Sequence, residues 1–360
     1  MCAFVDGRMA TSFATVPFTT RLNGQAAKLG GVSGVGTLPE YRRRGFLRRI
    51  MQHAIADMRD RGQFISSLWA SQAAIYQRYG YAHATHNIAY TIDPQDIRFI
   101  TPPTSPGMCR RYTLEDGFAL LRQLYIDFIA PRMLYLHRSR ALWHNNTLDA
   151  DAADGPLHVV VYHDEQDVPQ GYMVYTTCSG KVDHQARSQE MVVRDLVWLT
   201  QEAYLELWRF ITQHDLVGRV RFPRMPPDDP AAMFLQEPRL LHTRLIEGTW
   251  LRVTQTTGAL TARHYTTAGH LAIEVAGDDL ADWNNGVVEL ETDGIESQVK
   301  PSTASPDICL GPRGLAMLYS GIHTARQLLN WGLLHGTPEG VVAADRLFQT
   351  QYAPHCPDHF

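Results

Sequence analysis

The 360-residue chain has 37 acidic residues against 33 lysines and arginines, a net charge of −4, and is 44% hydrophobic. That length predicts two or three domains with packed cores, and the apolar content excludes a disordered chain. The charge balance argues against nucleic acid as a partner, and no apolar run is long enough to span a membrane. The opening residues lack a secretory pattern, and the five cysteines are scattered with no Cys-x-x-Cys pair. A reduced, cytoplasmic setting is expected.

Residues 2–22 predict two strands, Cys2 to Phe4 and Met9 to Val16, around the turn Asp6-Gly7. Asn23-Gly24 marks a second turn. Leu29 to Leu38 alternates small and apolar residues without a charge, as a buried strand does, and Pro39 stops it. Arg42-Arg43-Arg44-Gly45 follows. The period then becomes helical, with Phe46, Leu47, Ile50, Met51, Ala54, Ile55 and Met58 on one stripe and Gly62 closing it. Strand, basic turn and helix make an anion site. The first helical turn offers free N–H groups and the positive end of a dipole, Gly45 permits close approach, and arginines carry forked donors. Phosphate or pyrophosphate is the matching ligand. The same residues fit a solvated turn before an amphipathic helix equally well.

Residues 63–69 predict a strand. Ser71 as N-cap and Gly80 as C-cap frame a short helix carrying Tyr76, and Ala82 to Ile92 reads as a closing strand. From the residues alone Tyr76 reads as a packing aromatic like Tyr79 and Tyr81. Val35-Gly36-Thr37 followed by Arg42 to Leu47 resembles the acyl-CoA pyrophosphate loop of the GNAT acetyltransferases, with Leu47 where a small residue is usual. Ser71 to Tyr81 resembles the last signature of that fold. GNAT domains precede the meander with a strand and two helices. The chain starts at the meander, so either its start is truncated or the acceptor side is built differently.

Residues 94–107 are rich in Pro and Ser and read as a linker after a first domain, 1–93. Within 108–247 the pattern predicts helices from Leu114 to Ala130 and from Met133 to Trp143. Strands at His158–Tyr162, Gly171–Thr177 and Met191–Leu199 follow, then a helix at Gln201–Gln213 and a strand at Arg219–Phe222. This repeats the first order. Thr200-Gln201-Glu202 stands where the arginine turn would be, so a GNAT-type unit without a cofactor site is expected. Residues 248–266 predict a strand and helix packing on the first domain. Residues 267–360 resemble a sterol carrier protein domain, with strands at 271–275, 286–291 and 307–310 and helices at 313–318, 325–331 and 338–348.

The fold class is therefore α+β: tandem GNAT-type mixed-sheet domains followed by a sterol-carrier-protein-like α+β domain. Together with VGTLPEYRRRGFLRR, SQAAIYQRYGY and the tail APHCPDHF, this order is identified as that of the enhanced intracellular survival (Eis) type N-acetyltransferases. The resemblance implies acetyl-CoA as cosubstrate and no metal. It implies Val35, Gly36 and Thr37 on the pantetheine arm, and Arg43, Arg44, Gly45, Phe46, Leu47 and Arg48 on the pyrophosphate. Ser71 and Gln72 would form a second set of contacts. Tyr76 would be the proton donor, and the α-carboxylate of Phe360 the proton acceptor. It also implies an amine acceptor (aminoglycoside, polyamine or lysine side chain) and a homo-oligomer, commonly a hexamer. Two alternatives are a lipid or small-molecule binder acting through the last domain and an inactive scaffold. GGVSGVG is neither a nucleophile elbow nor a dinucleotide fingerprint. His83 and His86 are expected on opposite strand faces, which speaks against a metal site, and His355 and His359 read as solvated tail residues.

Overall fold

The computed structural model describes residues Met1–Phe360. Strands β1 (Cys2–Val5), β2 (Arg8–Leu22) and β3 (Gln25–Thr37) form an antiparallel meander. Its turns place Asp6, Gly7, Asn23 and Gly24 at positive φ, the conformation those residue types tolerate. After β3, Arg43 and Gly45 adopt φ of 62° and 79°, and the chain enters α1 (Phe46–Asp60). The predicted stripe is the buried one: Ile50, Met51, Ala54, Ile55 and Met58. Then come β4 (Ile65–Leu68), α2 (Ala73–Gln77) and β5 (Ala82–His83).

The middle of the chain supplies β6 (His86–Ile92), β7 (Met108–Tyr112), α3 (Leu114–Ile129) and α4 (Arg140–Trp143). It continues with β8 (Leu157–His163), β9 (Pro169–Cys178), β10 (Gln189–Trp198) and α5 (Gln201–Ile211). It closes with β11 (Val217–Met225), α6 (Ala231–Phe234) and β12 (Arg244–Glu247). Next are β13 (Trp250–Val253), α7 (Thr256–Ala262), β14 (Gly269–Val275), β15 (Gly286–Thr292) and β16 (Ser297–Ser302). The last elements are β17 (Ile308–Leu310), α8 (Pro312–Ser320), α9 (Ala325–Asn330), β18 (Leu334–Gly336) and α10 (Pro338–Leu347).

Three sheets result, in the orders β1-β2-β3-β4-β13-β5, β12-β6-β11-β10-β9-β8-β7 and β16-β15-β14-β17-β18. The first two share a plan. Each has one parallel pair, β3 with β4 and β10 with β11, joined by a crossover helix. In each the pairing stops short of the strand ends: β3 and β4 pair from Leu29/Ile65 to Val32/Leu68, where β4 ends and β3 runs on to Thr37, and β10 and β11 pair from Gln189/Val217 to Val192/Arg221 and then both run on unpaired to each other. Beyond those points each sheet has a notch. The first sheet is covered on both sides. One face packs on α1 through Val32, Met51, Met58 and Leu68. Leu29, Ile65, Leu251 and Val253 join a core with α7, α8 and Phe348 of the last domain.

Two expectations fail. The strand predicted over 82–92 divides at Ala84-Thr85, whose N–H groups both reach the Thr249 carbonyl. Its second half, β6, pairs with β11 and β12 in the second sheet, while β13 enters the first sheet between β4 and β5. The helix predicted over Met133–Trp143 forms only at Arg140–Trp143. Upstream, the chain runs beside β2: Leu134 N–H donates to the Arg21 carbonyl, Arg21 N–H to the Tyr135 carbonyl and His137 N–H to the Thr19 carbonyl. Met133, Leu134, Tyr135 and Leu136 are all buried. A run buried on every side carries no period to separate strand from helix, and the backbone partners offered by β2 decide it.

Candidate active site

A cleft of about 890 Å³ opens beside the notch of the first sheet. Its walls include Val35, Gly36 and Thr37 from the end of β3, the turn residues Arg42, Arg43 and Gly45, and Phe46, Leu47 and Arg48 from the start of α1. Ser71, Gln72 and Tyr76 close the other side. The structure thus gathers every sequence-predicted cofactor contact except Arg44, whose guanidinium lies over the Tyr41 ring. No side chain caps the N-terminus of α1, so its first N–H groups remain free. Arg42, Arg43, Arg44 and Arg48 make no ion pair. A doubly charged pyrophosphate fits unpaired guanidinium groups around an uncapped helix start.

Tyr76 sits on the short helix α2, buried, with its ring edge-on to Tyr81 at 6.2 Å. Burial raises its phenol above the usual tyrosine value, and a hydrogen bond with Ser71 opposes the shift. The hydroxyl therefore carries its proton at neutral pH. Ser71 does not cap the helix as expected; Gln72 is the capping position, without a side-chain bond. Gly80 closes the turn at φ 77°, and a β-carbon there would collide with the Arg252 guanidinium.

The tail reaches the same notch from the other side. The expectation that His355 and His359 are solvated is incorrect. His355 is 1% exposed, with its N–H on the Met133 carbonyl and Nε2 at 2.9 Å from Asn87 Oδ1. Burial, reinforced by Arg132, Arg224 and Arg138, pushes it well below the usual histidine value. His359 stacks on Trp69 at 3.8 Å, and Asn146 bridges its backbone at both N–H and carbonyl. Burial and then Arg224 lower its imidazole to about 4. Trp69 Nε1 donates to the Asp358 carbonyl at 2.9 Å.

The Phe360 ring packs on Phe18, centroids 4.8 Å apart, over Gly31, where a β-carbon would come within 3.0 Å of it. The neighbouring Gly30 faces Met58 of α1 instead. Successive strand residues point to opposite faces. Phe360 therefore lies on the sheet face away from α1, while Tyr76 belongs to the core that includes α1. The notch between β3 and β4 joins the two sides.

His83 and His86 do not point apart: their rings meet at 4.3 Å because the break at Ala84-Thr85 puts them in different sheets. No three His, Cys, Asp or Glu side chains are grouped to hold a metal ion.

Residues 1–84 and residues 134–253 each match an acetyltransferase (GNAT) domain family, and residues 256–357 match a sterol carrier protein domain family. The N-acetyltransferase Eis of Mycobacterium tuberculosis is 27% identical over 83% of this chain and 72% of its own. The crystal structure of Eis1 from Mycobacterium abscessus superimposes with a TM-score of 0.85 at 28% identity, covering all of this chain and 89% of that one. The chain belongs to the GNAT acetyltransferases and is similar to the Eis-type enzymes among them.

Other N-acetyltransferases extend the match. An uncharacterized N-acetyltransferase of Streptomyces griseus is 28% identical over 99% of this chain and 88% of its own. A GCN5-related N-acetyltransferase from Anabaena variabilis gives a TM-score of 0.87 at 25% identity, over all of this chain and 89% of that one. The fold is thus tandem GNAT domains followed by a sterol-carrier-protein-like domain, and the chain is an acyltransferase. GNAT enzymes take acetyl-CoA as acyl donor, which suits the arginine-lined cleft. Sequence reasoning missed Trp69, Arg138, Asn146, Arg224 and Asp358, which hold the tail. Trp69, an aromatic at a strand end beside the notch, left a faint signal; the others lie far apart in sequence.

Proposed function

We propose that the chain transfers the acetyl group of acetyl-CoA to a primary amine by direct attack in a ternary complex. The observation that supports this reading is the pairing, in one cleft, of unpaired arginines with a buried, protonated Tyr76. In this reading the N–H groups of α1's first turn, with Arg43 and Arg48, hold the pyrophosphate, and Val35, Gly36 and Thr37 run along the pantetheine arm. Gly45, Phe46, Leu47, Ser71 and Gln72 shape the rest of the cleft. The amine attacks the thioester carbon, the C–S bond breaks, and the Tyr76 hydroxyl gives its proton to the thiolate. The Phe360 α-carboxylate receives the proton lost by the amine.

The last step has a physical constraint. An α-carboxyl group has a pKa of about 3.5 and an ammonium about 10, so the carboxylate is a poor direct base in water. It works by attracting and aligning the cationic amine and by relaying its proton through water. The acceptor in this reading is an aminoglycoside, a polyamine or a lysine side chain, and the enzyme is a cytoplasmic homo-oligomer, a hexamer as in the family resemblance. Lipid binding by the last domain is not favoured: Leu271, Ile273, Leu290, Leu315 and Leu318 fill its interior.

The test is thiol release from acetyl-CoA across a panel of amines, with a free Phe360 terminus and with one extended by two glycines. Release that needs the free terminus supports both the transferase and the carboxylate. Equal release in both removes Phe360 from the mechanism. Acetyl-CoA failing to bind at all overturns the reading.

A further inference from the structure

The second GNAT domain has a notch of its own, where β10 and β11 part beyond Val192 and Arg221. In the first domain the corresponding opening faces the arginine cleft. In the second it is filled. Val193 to Val197 on one side and Arg224 to Pro226 on the other close around His355 and Pro357 of the tail, leaving only about 20 Å³. Arg224 Nη1 donates to the Pro357 carbonyl at 2.9 Å.

A buried cluster holds this segment. Asp358 is fully enclosed, and its Oδ1 accepts from Arg138 Nε at 2.9 Å. Arg138, 2% exposed, places Nη1 on Asp195 of β10 at 2.5 Å, and the Tyr172 hydroxyl donates to the same Asp195 oxygen at 2.7 Å. The guanidinium also lies 4.1 Å from the Tyr125 ring and 4.7 Å from the Trp143 ring. One cation thus joins a strand of the second domain to the third residue from the chain end. Burying a charge this deeply is costly unless its partners are fixed. Buried ion pairs can often be replaced by apolar residues without loss of stability, which turns attention to what this one positions.

We propose that the second domain's notch is a dock for the tail, and that Arg138, through Asp358, is a positioning residue that sets the Phe360 carboxylate in the notch of the first domain. The inference rests on the reading of Phe360 as proton acceptor. It makes the second domain a template for the reaction rather than an inert repeat. Asp358 fixes the tail on one side, Asn146 and Trp69 fix His359, and Phe360 is left one residue of freedom before Phe18 and Gly31 stop its ring.

The experiment compares Arg138→Met, Arg138→Lys and Asp358→Asn in the full chain, each with a free and a glycine-extended terminus. Three quantities are read: hydrogen exchange of residues 355–360, kcat, and KM for acetyl-CoA. The expected result is faster tail exchange, kcat down about 10- to 100-fold from misplacement of a reacting group, and KM within about twofold. Arg138→Lys recovers part of the loss, since a lysine keeps the charge without the fork. Extension of the terminus adds little further loss in Arg138→Met, because both changes act through one carboxylate. Unchanged tail exchange in all three variants overturns the proposal. So do losses that add fully to that of the extension, or early melting with loss of acetyl-CoA binding in every variant, which marks the pair as serving the fold alone. Faster exchange with unchanged kcat, together with a harmless extension in the unmodified chain, overturns the Phe360 reading and the proposal with it.

Discussion

Arg252 and Asp278 form an ion pair with side chains 1% and 2% exposed, joined by two hydrogen bonds at 2.6 and 2.8 Å. Arg252 stands on β13 in the first sheet, and its other terminal nitrogen reaches the Tyr79 carbonyl at 2.5 Å. Asp278 belongs to the last domain, where it also accepts the N–H groups of Leu280 and Ala281. The last domain thus fastens the turn that ends the Tyr76 helix. Asp278→Ala would leave the guanidinium buried and unpaired, which costs about 3–5 kcal/mol. Denaturant unfolding should show a loss of that order; a loss below about 1 kcal/mol would mean the pair is not carrying this junction.

Tyr76→Phe removes the hydroxyl, with its proton and its hydrogen bond to Ser71, while the ring still packs on Tyr81. General acid catalysis contributes about 10²- to 10⁴-fold, so kcat should fall within that range. Acetyl-CoA affinity, measured by calorimetry, should stay within about twofold. An unchanged kcat with a saturating amine would end the case for Tyr76 as the acid.

Arg43 combines a positive φ with a free guanidinium at the start of α1. Reversing its charge in Arg43→Glu sets a carboxylate against the pyrophosphate. Acetyl-CoA binding should weaken by about 10- to 100-fold, in line with the loss of one charge-assisted contact. The deficit should shrink with added salt, because the site is exposed and screened. The check is a titration at two ionic strengths.

Stability should fall on acidification, and His355 supplies a defined part of the fall. Its ring is neutral in the fold, held well below the usual value by burial and three arginines, and its Nδ1 has no partner. The unfolded chain takes up a proton near pH 6.5 that the folded chain refuses. The stability tied to this residue is therefore complete above about pH 6.5 and is lost progressively below it. Melting temperature should drop between pH 7.5 and 5.5, and His355→Gln should flatten that slope. An identical slope in the variant would place the titration elsewhere.

The sequence was most legible where the chain changes period at a breaker. Pro39 and Gly45 separate a strand pattern from a helix pattern, and both the turn and the stripe of α1 appear where they were read. The three-part order was legible from motifs of the same kind. What failed was decided by distant partners. Met133 to Leu136 has helical composition but borrows its backbone bonds from β2. His86 leaves the strand of His83 because Thr249 intervenes. The strand β16 was missed because Ser297–Ser302 is polar and half exposed at a sheet edge. The tail gave no sign that Asp358 is buried, since Arg138 stands 220 positions away.

The insertion of β13 between β4 and β5 also governs when the protein can come into being on the ribosome. The first sheet cannot close until Trp250–Val253 has emerged, long after Leu68. At synthesis rates of roughly 5–20 residues per second, the delay is on the order of 10 s or more. For that interval β4 presents an open edge, the kind that pairs with neighbours. The nascent chain therefore passes through a stage in which its first sheet awaits a strand from far downstream, and a chaperone would have its task there.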